Sequence, residues 1–327
     1  MSNILEKETI KDLVGSKDDP VNWIYSLGEG LPQVREITVK TDCEDKTPVT
    51  IAQLTDLHFN FMNEQDLEEK NPTLMSTYEH RWWLANGEGK DFAEPALKYA
   101  EKISDQIVIT GDVMDYCSNG CAEMLQKEIW DKYPEALVTT GNHEWCQNME
   151  GTVAETLTFD QRRERLEKAW KHNLYYTSKV VKDKVMLILL ENGRPGFWDC
   201  QIEPLKADLK LAREKGYAVL AFMHIALATN NPDCKAVKAL IGDRVENFVD
   251  GPVVGGAFKD NATQEVYNIL TNNADVIKGV FTGHFHYEFY TEIIAKTPDG
   301  EEKNIPQIVS NVNCACRTGC VTKINVI

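Results

Sequence analysis

The sequence predicts an α/β fold, layered and with partly parallel strands, on three observations. Between residues 93 and 139, helix-period and strand-period stretches alternate in the rhythm of β-α-β units. In IVITGDVMD, residues 107–115, Ile107, Val108 and Ile109 read as a buried strand. Gly111 then lets the chain turn so that Asp112 projects from the strand's carboxyl end, where open α/β sheets place ligands. Four more stretches share this form, an apolar run that stops at a metal-ligand type: IAQLTDLH (Asp56, His58), ALVTTGNHE (Asn142, His143), YAVLAFMH (His224) and VFTGHFH (His284, His286).

Along the chain, residues 1 to about 35 read as a mostly helical or irregular arm, ending in the Gly/Pro break LGEGLPQ before a first strand, ITVK. The strand at 50–54 delivers Asp56 and His58, two ligand types one residue apart. Residues of about 60–90 form a polar insertion containing Tyr78-Glu79-His80-Arg81-Trp82-Trp83. It reads either as an inserted helix whose tryptophans pack on the domain or as one wall of the pocket. A helix at 93–102 feeds the strand at 107–109, and a helix at 122–130 returns through Pro134 to a strand at 136–139, which sets down Asn142 and His143.

Residues 161–170 predict a charged amphipathic helix whose basic run is a solvated face. The strand at 184–190 is nearly all apolar and so central. The helix at 202–215 ends on Gly216 as a C-cap, and the strand at 217–223 carries His224. From about 226 to 261 the pattern breaks into Gly, Asn and Pro clusters, which predicts a functional loop beside the pocket. A helix at 263–270 precedes strands at 276–282, 287–294, 306–310 and 321–326. No linker interrupts this series, so residues 1–327 read as a single domain with an N-terminal arm and two pocket-side insertions.

The formal charge of −16 excludes an extended nucleic-acid backbone as the expected partner, because such binding needs a basic face. A small anionic substrate is compatible with it, since bound cations reverse the local field. No apolar run approaches the roughly 20 residues that span a bilayer, and the N-terminus has no signal-peptide core, so a cytoplasmic location is expected. Nine scattered cysteines read as reduced thiols. The cluster Cys314, Cys316 and Cys320 fits no usual zinc spacing and is taken as structural or incidental.

Five of the seven histidines lie in the strand-end set. Imidazole, carboxylate and amide ligands without cysteine suit manganese, iron, zinc or nickel. The candidates exceed what one ion takes, and two ions sharing a carboxylate would use them all. Two metals about 3.5–4 Å apart form a clamp for in-line displacement at phosphorus, one lowering the pKa of a water and both neutralising phosphoryl charge. The reaction this implies is phosphoester hydrolysis.

The series Asp56-x-His58, Gly111-Asp112-x-x-Asp115, Gly141-Asn142-His143-Glu144, His224 and Gly283-His284-x-His286 resembles the calcineurin-like metallophosphoesterases, in that family's order and over about residues 50–286. The resemblance implies two facing mixed β-sheets flanked by helices. It implies that Asp56, His58 and His286 hold one metal, that Asn142, His224 and His284 hold the second, and that Asp112 bridges them. His143 would stand outside the coordination sphere, touch the substrate phosphate and protonate the leaving oxygen, with Asp115 orienting it.

Two departures narrow the branch. GDVMDYC lacks the Arg-Gly that follows the second Asp in protein Ser/Thr phosphatases, and Asp115 stands where purple acid phosphatases supply a tyrosine ligand. The remaining form resembles the cyclic-nucleotide and related phosphodiesterases. The expected partner is therefore a small-molecule or nucleotide phosphodiester, with manganese, iron or zinc as cofactors. A phosphomonoesterase or nucleotide pyrophosphatase suits the same pattern. A nuclease is disfavoured by the acidic balance, and a non-catalytic scaffold by the full set of ligands and the acid histidine.

Overall fold

The computed structural model describes residues 21–26, 31–43, 45–84, 89–147, 156–194, 196–229, 253, 260–286, 288–310 and 319–327. Among them, β1 (Val21–Ser26), β2 (Gln33–Val39), β3 (Val49–Leu54), β4 (Gln106–Thr110), β5 (Leu137–Thr139) and β12 (Cys320–Val326) form one six-stranded sheet in the order β1-β2-β12-β3-β4-β5. A second six-stranded sheet holds β6 (Tyr176–Val181), β7 (Val185–Leu190), β8 (Ala218–Phe222), β9 (Ile277–Thr282), β10 (Phe289–Lys296) and β11 (Glu302–Val309), in the order β10-β11-β9-β8-β7-β6. Both sheets are mixed: β3, β4 and β5 run parallel, as do β7, β8, β9 and β11, while β12 is antiparallel to β3 and β6 to β7. The described helices are α1 (Glu64–Glu69), α2 (Pro72–Leu84), α3 (Lys90–Ile103), α4 (Asn119–Leu125), α5 (Phe159–Ala169), α6 (Asp199–Lys215) and α7 (Asn261–Thr271).

The central strands lack polar alternation because both of their faces are covered. VMLILL of β7 and AVLAF of β8 are buried at every position. Between the sheets, Ile51, Val108, Leu137 and Ile324 share a cluster with Leu187, Leu220, Phe222 and Phe281, and the two phenylalanine rings stack at 5.2 Å. On the outer face of the first sheet, Ile107 and Ile109 pack with Ala93, Ala96, Leu97 and Ala100 of α3. The second sheet is covered by Leu205 and Leu209 of α6 and Val266 and Leu270 of α7. Full burial of each such branched side chain contributes about 1.5–3 kcal/mol, and a one-residue slip of a strand would turn its inner set outward, so register is fixed. The fold is thus the expected pair of facing mixed sheets flanked by helices.

Some elements differ from expectation. The arm was expected to be helical or irregular, yet Val21–Ser26 is a strand antiparallel to β2, and ITVK is the end of β2 and not a first strand. Residues 1–20 lie outside the described set. The strand β6 was not anticipated; it pairs with β7 through a turn in which Lys182 and Asp183 both take φ of 50°. The insertion at 60–90 supplies α1 and α2, while most of the 226–261 stretch, and Cys314 and Cys316, lie outside the described residues. After α4 the chain continues as a π-helical turn, Gln126–Trp130, where one helix was expected.

Candidate metal centre

The parallel strands end on one side of the molecule, and each carries its ligand types just past its last residue. β3 leads to Asp56 and His58, β4 to Asp112 and Asp115, β5 to Asn142 and His143, β8 to His224, and β9 to His284 and His286. Backbone bonds knit these ends together. Asp56 N–H donates to the Gly111 carbonyl at 3.1 Å, His58 N–H to that of Asp112 at 2.9 Å, and Gly283 N–H to that of His224 at 2.9 Å.

Asp56, His58, Asp112, His284 and His286 all have positive φ, between 49° and 74°. Non-glycine residues held in that region carry strain that the surroundings must enforce, and such positions concentrate at functional sites. Gly111 has φ of 83°, and a Cβ there would lie 2.7 Å from His224 Nδ1. Gly141 has no room for a side chain either, because a Cβ would lie 2.1 Å from Asp112 Oδ1.

Among the described residues three clusters of ligand atoms result, each within 4.8 Å: Asp56, His58 and His286; His58, Asp112 and His143; Asp112, His224 and His284. His58 is shared by the first and second clusters and Asp112 by the second and third, with Asp112 Oδ2 3.1 Å from His224 Nε2. Asn142 Oδ1 is 3.1 Å from the same nitrogen, which adds the expected amide. Asp56, Asp112 and His224 are buried, whereas the His286 side chain is 44% exposed, so the site opens at His286.

His143 stands at the edge of this array. Its Nδ1 lies 2.8 Å from the Asp115 carbonyl oxygen and 3.2 Å from Asp115 Oδ1, and its Nε2 is 3.7 Å from Asp112 Oδ2. Asp115 Oδ1 also lies 2.8 Å from His58 Nδ1. His224 Nδ1 lies 2.8 Å from the Thr110 carbonyl oxygen. With Nδ1 of His58 and His224 engaged in this way, Nε2 of each is left to face the site, the arrangement metal-binding histidines need.

The electrostatics follow from burying this much charge. Burial alone would raise the Asp112 carboxyl, but the charges of His224 and His143 outweigh it and hold the group below the usual range. Asp56 and Asp115 are likewise held low against burial, Asp56 by His286 and His58, Asp115 by His143, His58 and Arg81. Burial would lower His224, yet facing Asp112 it rises to about 9. His284, buried beside His224, falls to about 4. Glu144 is pushed up to about 7 by burial and by Asp112.

Two observations test whether these residues fit metal ions. Asp56 Oδ1 is buried with no hydrogen-bond partner, and it faces His286 Nε2 at 3.3 Å. Imidazole nitrogens also converge on each other, His58 Nε2 with His286 Nε2 at 3.3 Å and His284 Nδ1 with His224 Nε2 at 3.3 Å. A buried, unbonded carboxylate oxygen beside converging imidazole nitrogens is the O/N donor set that suits first-row divalent ions. The clusters are compatible with a dinuclear centre.

Sequence reasoning assigned no role to two participants. Glu144 accepts from Gly141 N–H at 2.6 Å, Asp112 N–H at 3.1 Å and Met114 N–H at 2.9 Å, pinning two ligand loops together. Its place in GNHE was the available signal. Arg81, from α2, grips Asp115 with Nε to Oδ2 at 2.8 Å and Nη2 to Oδ1 at 2.6 Å.

Strand-end carboxylates, amide and imidazoles thus gather at one end of a sandwich of two mixed sheets, in clusters that could hold a pair of metal ions. Residues 49–288 match the family model of the calcineurin-like phosphoesterases, and the chain belongs to that family. Solved structures that resemble it include a candidate 5′-nucleotidase from Staphylococcus aureus, at 12% identity and TM-score 0.40, with 82% of this chain and 49% of that chain covered. A purple acid phosphatase from yellow lupin (Lupinus luteus) seeds matches at 10% identity and TM-score 0.45, with 83% and 45% covered. A dimetal phosphatase from Danio rerio matches at 12% identity and TM-score 0.42, with 81% and 88% covered. The chain thus spans about half the length of the first two. A search of curated proteins gave no match.

Proposed function

We infer that the chain is a phosphodiesterase for a small-molecule or nucleotide diester, using two metal ions. In this reading Asp56, His58 and His286 hold one ion, Asn142, His224 and His284 hold the other, Asp112 is shared, and manganese, iron or zinc serves. The ions supply a lowered water pKa and neutralise charge on the phosphoryl oxygens. His143 keeps Nδ1 against Asp115, so it carries its transferable proton at Nε2 and gives it to the leaving oxygen as the P–O bond breaks. Asp115 orients His143 and His58 together. The observation that carries the reading is Asp112 shared by two clusters, one with His58 and His143 and one with His224 and His284.

The diester preference rests on the motif form, which lacks the Arg-Gly of protein phosphatases. Other parts of the reading are a single domain sharing one inter-sheet core, no membrane or long nucleic-acid partner, and a cytoplasmic location. No described helix is long and apolar enough to cross a membrane, and the cysteines described as free are in keeping with a reducing compartment. The test is the ratio of rates on bis-p-nitrophenyl phosphate and p-nitrophenyl phosphate, with manganese supplied. A faster diester rate is expected; a faster monoester rate would replace this reading with a phosphomonoesterase.

A further inference from the structure

We propose that Arg81 is a positioning residue for the metal-dependent reaction, acting through Asp115 on both His58 and His143. Asp115 is buried, and its Oδ1 alone lies 2.8 Å from His58 Nδ1 and 3.2 Å from His143 Nδ1. One carboxylate oxygen therefore faces a metal-ligand type and the candidate acid at once, and the Asp115 carbonyl, 2.8 Å from His143 Nδ1, adds to the hold on the acid. The Arg81 guanidinium engages both oxygens, at 2.8 Å and 2.6 Å, and so fixes the rotation of the carboxylate plane. A planar fork does this where a point charge does not.

Arg81 is itself held. Its helix, α2, begins with Asn71 Oδ1 accepting from Thr73 N–H at 3.0 Å and Leu74 N–H at 3.2 Å. Thr77, on the same buried stripe as Leu74 and Arg81, donates Oγ1 to the Gln147 carbonyl at 2.8 Å. The inserted helix is thus fastened both to the loop that carries Asp112 and Asp115 and to the loop that carries Asn142 and His143. The Arg81 side chain is 12% exposed, close enough to the surface for a small cation to reach the space it would vacate.

The proposal rests on the phosphoesterase reading for its rate arm and is independent of it for its metal arm. In Arg81→Ala, manganese affinity measured calorimetrically without substrate is expected to fall by about 10–100-fold, the usual effect of losing a partner behind a ligand histidine. At saturating manganese, kcat is expected to fall by about the same factor, more for an alkyl than for a p-nitrophenyl leaving group, with KM nearly unchanged. Added guanidinium should restore part of both losses, and Arg81→Lys should restore neither. Arg213→Ala is the control: it removes a comparable fork, Arg213 to Asp275 at 2.6 Å and 3.0 Å, between the end of α6 and the start of β9, and should retain metal affinity.

Arg81→Ala with wild-type metal affinity and wild-type leaving-group dependence would overturn the proposal, as would an Arg81→Lys that equals wild type. If Arg81→Ala does not fold, Arg81→Gln carries the same readings. A wild-type chain that binds manganese but hydrolyses no phosphoester would defeat the functional reading, and the affinity arm would still decide the role of Arg81.

Discussion

Asp112 is the residue on which the proposed centre depends most, because among the described residues it belongs with His58 and His143 in one cluster and with His224 and His284 in another. Asp112→Asn is expected to bring metal content below two ions per chain and to abolish activity; a fully active variant holding two metals would defeat the assignment. Gly141→Ala attacks the same point sterically, since its Cβ would lie 2.1 Å from Asp112 Oδ1. Displacing a reacting array by about 1 Å can cost about 100-fold in rate, and a loss of that order is expected from assays at saturating metal. His143→Ala, by contrast, should keep the metals and lose rate chiefly on poor leaving groups; equal losses on all esters would remove it from the acid role. That these residues gather at one place was legible in the sequence, because each follows closely on an apolar run that reads as a strand. Arg81 was not, because a pairing across 34 residues leaves no local pattern on either partner.

Among elements, strands and helices with a buried face were legible, and those without were not. β6 has a mostly half-exposed pattern and a Lys182-Asp183 turn lacking the Asn-Gly or Asp-Gly pair that usually marks a two-residue hairpin. The insertion reads in the sequence either as a helix whose tryptophans pack on the domain or as a wall of the pocket; it is a helix, and the Trp83 side chain lies outside those described. Trp82 is 40% exposed beside Tyr78, and it is Arg81 that turns toward the site. The short α1 has a structural task that its polar sequence hides. Asp66, fully buried, accepts from the N–H groups of Asn119 at 2.9 Å and Gly120 at 2.7 Å at the start of α4. Asp66→Ala would strand those donors, so chemical denaturation should show a loss of about 2–3 kcal/mol. A change below about 0.5 kcal/mol, the size of an ordinary surface substitution, would show that the two helices do not depend on each other through this carboxylate.

At the scale of the whole molecule, the candidate ligands divide between the sheets. Asp56, His58, Asp112 and Asn142 follow strands of the first, and His224, His284 and His286 follow strands of the second. That division was not legible, because a strand's apolar pattern does not name its neighbour: β12, the last strand of the chain, inserts between β2 and β3. Each proposed ion would therefore tie one sheet to the other across the end of their shared core. Binding to the folded state alone adds about 2.7 kcal/mol per site at a free ligand concentration a hundredfold above Kd. Manganese should accordingly raise the melting temperature of metal-free protein, a chelator should reverse the rise, and Asp112→Asn should show a smaller increment than wild type. Saturated binding with no change in melting temperature would mean that the ions do not favour the folded state, and the two sheets would then have to be held by their apolar core alone.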